Sequence, residues 1–194
     1  MFKLFKKTPD ILLKEATSKK KNGDLKSAID LLKEAYKKIG NTPIGYSVNI
    51  FLRLPLYLQE AKRDDEAWRE FNLLLTKGYP NQMKYLDLVL MDNSIIYDKM
   101  RLYLQRKGKS ELAIKFGILS YLYWATGLYK QKRNDELKTY VSKENIEKII
   151  RKLLKKAAKI NSLEKLSIIV EEQIKYLPNI DFGELAKKID SVIF

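Results

Sequence analysis

"LYLQEAKRDDEAWREF", residues 56–71, and "LYLQRKGKSELAIKF", residues 102–116, share their first four letters and then keep step without a gap. Laying Leu56 on Leu102 brings Ala67 onto Ala113, and an earlier stretch fits the same frame with Ala28 in that place. The marker alanines stand 39 and 46 residues apart. Self-similarity at such periods is the signature of repeated supersecondary units. A small residue early in the second of two antiparallel helices lets them approach closely, so the frame predicts αα-hairpins.

Outward from this stretch, apolar residues recur at helical spacing from Pro9 onward. Thr8 is expected to cap a helix with Pro9 at its first position. "KNGD", 21–24, reads as a turn in which Gly23 ends that helix and Asp24 caps the next. Ile29, Leu32 and Tyr36 line one face of this second helix, which ends at Gly40. "IGYSVNIFLRLPLYLQEAK" is a helix that Pro55 must either kink or restart at "LPLYLQ". Its partner, after a turn at Arg63–Asp65, extends to Lys77, where Gly78 and Pro80 are stop signals.

A short helix at "NQMKYLDLVLM" follows, then a second capped by Asp92, Asn93 or Ser94, then a long one over "KSELAIKFGILSYLYWATGLYKQKR". Gly117 and Gly127 inside the last are expected where helices approach closely. Tyr121, Tyr123, Trp124 and Tyr129 read either as a stacking platform or, with Leu119, Leu122 and Leu128 interleaved, as core. The polar patch "KRNDELKTYVSKEN" separates a repeat region, 1–133, from a three-helix unit, 134–194. In that unit Ser142 caps a helix to about Ile160, Ser162 caps another to Leu177, and Asp181 with Glu184 starts the last as a capping box. No segment alternates like a strand. The fold class is all-α: antiparallel αα-hairpin repeats with a C-terminal helical unit.

The chain of 194 residues contains neither Cys nor His. Disulfides, Cys/His metal sites, thiol nucleophiles and imidazole bases are therefore excluded. Adjacent acids such as Asp64/Asp65 and Glu171/Glu172 point in different directions on a helix. There is also no phosphate-binding or dinucleotide glycine loop and no Asp-rich calcium loop. The chain is read as non-catalytic, with no cofactor and no metal. The formal net charge of +14 favours an anionic partner, although the same charge spread over helix surfaces also serves solubility. Of the 38 basic residues 31 are Lys and 7 Arg, so few are suited to bidentate recognition. No apolar run of signal-peptide length follows "MFKLFKKTPD", and nothing approaches a membrane span. A cytoplasmic location is expected, and a membrane partner is not.

The hairpin frame resembles the tetratricopeptide repeat family. "GDLKSAIDLL", 23–32, is similar to that family's turn and second-helix start, and "KRDDEAWREF", 62–71, carries its Ala-x3-aromatic signature as Ala67 and Phe71, with Pro80 after it. The first unit has Ala28, Leu32 and Pro43 in those roles. The third keeps Gly108 and Ala113 but has Gly117 where the large residue belongs. The likeness spans roughly residues 8–125. It departs from the 34-residue family period, lacks the first-helix tryptophan and has Pro55 where a small packing residue is expected. It implies a solenoid that binds a protein or peptide partner on the surface of its first helices. Lys20, Arg53, Leu56, Gln59, Lys99, Leu102, Gln105 and Arg106 would face that groove. Leu13 and Thr17 replace the residues with which some members clamp a terminal carboxylate, so an acidic-amphipathic partner fits better.

One alternative partner is nucleic acid. In "EKIIRKLLKKAAKI", 147–160, Lys148, Arg151, Lys152, Lys155, Lys156 and Lys159 surround an apolar stripe. Such a basic amphipathic helix can take phosphates or an acidic protein groove, or can simply be a solvated face.

Overall fold

The computed structural model describes residues 7–133 and 160–194, with positions 135, 144, 145, 148, 151 and 152. Every regular element among the described residues is an α-helix: α1 (Pro9–Lys21), α2 (Leu25–Ile39), α3 (Val48–Phe51), α4 (Arg53–Glu60), α5 (Asp64–Lys77), α6 (Leu86–Arg106), α7 (Ser110–Lys130), α8 (Ile160–Lys175) and α9 (Phe182–Ile193). Contacts group the chain into two compact units, Met1–Met83 and Lys84–Phe194. The composition break expected at 133–134 falls within the second.

In the first unit α1 pairs with α2 and α4 with α5, and α2 packs on α4. The Thr8 hydroxyl accepts from the Ile11 amide at 3.4 Å and the Asp24 carboxylate from the Ser27 amide at 3.1 Å, so the expected caps satisfy otherwise orphaned donors. Hydrogen bonds from Ser27 also hold Asp24 below the usual carboxylate range. Leu12, Ala16, Ala28, Ile29 and Leu32 close the first interface, and Leu58, Ala67 and Phe71 the second. Each large side chain so buried contributes about 1.5–3 kcal/mol.

The turns repeat as the frame predicts. At the first, the Gly23 amide donates to the Lys20 carbonyl (3.0 Å) and the Asp24 amide to that of Lys19 (2.9 Å). At the second, Lys62 and Arg63 donate to Gln59 (3.0 Å) and Leu58 (2.9 Å); at the third, Gly108 and Lys109 donate to Gln105 (3.1 Å) and Leu104 (3.0 Å). This paired bonding needs one residue in the left-handed region. Gly23 (φ 79°), Lys62 (φ 59°) and Gly108 (φ 72°) supply it, each five residues before its buried alanine. The second turn therefore lies at 61–63, and Asp64 is already helical rather than part of the turn.

The helix containing Pro55 is split, but at Leu52, before "LPLYLQ". Pro55 has no amide to give the Phe51 carbonyl four residues back. The Tyr36 hydroxyl, reaching across from α2, donates to the Ile50 carbonyl at 2.5 Å and lies 3.4 Å from that of Phe51. Burial pushes the pKa of this hydroxyl up, against the pull of the nearby Arg53 charge.

In the second unit α6 and α7 form a hairpin, and α8 and α9 pack on each other and on α7. Two expectations change here. The two helices predicted across 81–108 are one, because Asp92, Asn93 and Ser94 sit mid-helix and packing against α7 overrides their capping preference. The backbone at Ser162 is already helical, so it does not start α8. The Ser142 cap lies outside the described residues. Asp181 does cap α9, accepting from Gly183 (2.9 Å) and Glu184 (3.0 Å), while the Glu184 carboxylate bonds Lys187 (2.7 Å).

Ile114, Ile118 and Leu122 of α7, Leu166 and Val170 of α8, and Leu185 and Ile189 of α9 form one core. Tyr123 stacks on Phe182 at 3.7 Å beside it. Lys115 pairs with Asp190 at 2.6 Å. A Cβ on Gly127 would fall 2.8 Å from Met91 Sδ and 3.3 Å from the Asp87 carbonyl oxygen, so this glycine marks the expected close approach. Among the described residues no helix is long and apolar enough to cross a membrane.

Candidate functional site

A groove of about 560 Å³ runs between α6 and α7. From α6 it takes Ser94, Asp98, Arg101, Leu102 and Gln105, residues spaced by three and four and so sharing one helix face. From α7 it takes Gly117, Ser120, Tyr121 and Trp124, and Lys152 adds a cation. The Ser120 hydroxyl donates to the Ser94 carbonyl at 2.9 Å and ties the two helices together. The Tyr121 and Trp124 rings, 6.5 Å apart and tilted by 41°, make an aromatic wall. Burial raises the pKa of the Tyr121 hydroxyl, which keeps it a neutral donor.

Arg101 organises the polar wall. Its Nε and Nη2 donate to Asp98 Oδ1 at 3.0 and 2.5 Å, and its Nη1 to Gln105 Oε1 at 3.0 Å. The guanidinium is thereby held flat along α6, with Asp98 neutralised beside it. Lys152 is exposed and leaves the described lining one positive charge in excess.

The residues predicted to face a peptide groove are distributed differently from one another. Leu102 and Gln105 line the groove; Lys99 is half-buried, 3.8 Å from Asp98, and Arg106 is exposed on the last turn of α6. In the first unit Arg53 Nη2 donates to the Leu13 carbonyl (2.9 Å) and the Thr17 hydroxyl (2.8 Å), so its charge is engaged in joining α4 to α1. Lys20 pairs with Glu60 at 2.9 Å, and Lys20 and Arg53 both lie over the Tyr57 ring, at 5.2 and 5.6 Å. Leu56 and Gln59 are half-buried on α4. Of the basic segment, Lys148, Arg151 and Lys152 are helical and exposed, while Lys155, Lys156 and Lys159 lie outside the described residues.

The groove thus brings one member of the basic segment together with two members of the peptide-facing set. Sequence reasoning missed Ser94, Asp98, Arg101 and Ser120. A signal existed for two of them: Asp98, Arg101 and Gln105 stand at the i,i+3 and i,i+4 spacings that pair charges on a helix. Compared with known proteins, the chain matches no protein-family model, no curated sequence and no solved structure.

Proposed function

We propose that this chain is a non-catalytic interaction adaptor, a tetratricopeptide-like stack of hairpins that binds an acidic segment of a partner protein. The observation that carries the reading is the α6/α7 groove. It sets two aromatic rings beside a polar wall, lies within the size range of built binding sites, and its described charges sum to positive. Amphipathic walls of this kind suit a peptide, which offers side chains for the rings and carboxylates for the cations. The three like turns support the repeat reading, since stacked hairpins present extended binding faces. The net charge of +14 adds long-range attraction for an acidic partner.

The test is panning of a displayed library of short peptides on the purified chain at low and high salt, followed by titration of the enriched sequences. Acidic segments are expected to enrich. The double charge reversal Arg106→Glu with Lys152→Glu is expected to weaken them by about tenfold or more. Enrichment that ignores peptide charge and both reversals would refute the reading. The nucleic-acid alternative is checked in parallel by mobility shift, where phosphate binding must weaken steeply with salt.

A further inference from the structure

We draw no further inference here: the strongest candidate, the surface patch at the end of the α6/α7 hairpin where exposed Tyr85, Leu86 and Tyr129 lie with Lys84, Lys130 and Lys132, is an exposed apolar face, and nothing in the structure shows what covers it.

Discussion

Replacing Lys62 by Gly stabilises the first unit, and replacing Gly23 by Ala destabilises it, although the two positions are equivalent. At both the backbone has positive φ, 59° and 79°. An L-residue there costs roughly 1–2 kcal/mol relative to the right-handed region. Glycine avoids that cost but loses about 0.5–1 kcal/mol more conformational freedom on folding. The net gain for Lys62→Gly is therefore several tenths to about 1 kcal/mol. The reverse exchange at Gly23 costs a similar amount, with no steric contribution, because a Cβ there would meet nothing within 4 Å. Lys62→Ala separates backbone from side chain: it keeps the Cβ, so it stays within about 0.5 kcal/mol of the parent. The assay is urea unfolding followed by Trp68 fluorescence in a Trp124→Phe background. A neutral or destabilising Lys62→Gly, or a Gly23→Ala without cost, would refute the claim that these turns share one strained geometry.

Phe71→Ala, at 0% exposure, is expected to cost about 3–5 kcal/mol in the same titration. Tyr36→Phe removes the donor that serves the Ile50 carbonyl beside Pro55 and should cost about 1–2 kcal/mol, read as an earlier midpoint with unchanged m-value. The Asp24 cap has its folded pKa depressed, so its stabilisation is present above the unfolded value near 4 and is lost as pH falls through the folded one. Acid melts from pH 5 downward should therefore fall less steeply for Asp24→Asn than for the parent. At Gly127 a Val side chain must displace Met91 and press on the Asp87 carbonyl, so Gly127→Val should cost about 2 kcal/mol or more and be partly rescued by Met91→Ala.

What could be read from the sequence was local chemistry. Thr8, Asp24, Asp181 and Gly78 mark helix ends through their own backbone or side-chain preferences, and each does so in the structure. What could not be read depends on groups distant in the chain. The split at Leu52 is bound up with a tyrosine from α2, and the continuity of α6 through Asp92–Ser94 depends on its packing against α7. Arg53 looked available for a ligand because nothing in its neighbourhood along the chain reveals the Leu13 carbonyl, 40 residues earlier. The groove was half legible: Leu102 and Gln105 stood out in the repeat frame, but only the pairing of α6 with α7 sets them beside Ser120, Tyr121 and Trp124.

The two repeat spacings, 39 and 46 residues, differ by seven. The linkers between hairpins, residues 40–47 and 78–85, are equally long, so the difference lies in the helices. Seven residues are almost two full helical turns, about 10.5 Å of rise with only about 20° of drift. α7 likewise has 21 residues against 14 in α5. α6 has 21 residues against the 13 positions 48–60 of the split α3 and α4, so both members of the third hairpin are taller by about two turns, and a heptad is the increment that lengthens a helix without turning its inner face away from its partner. The extra storeys leave the turn at Gly108 and the contact at Ala113 in register. The natural unit for extending or trimming this hairpin is therefore seven residues removed from, or added to, each helix together.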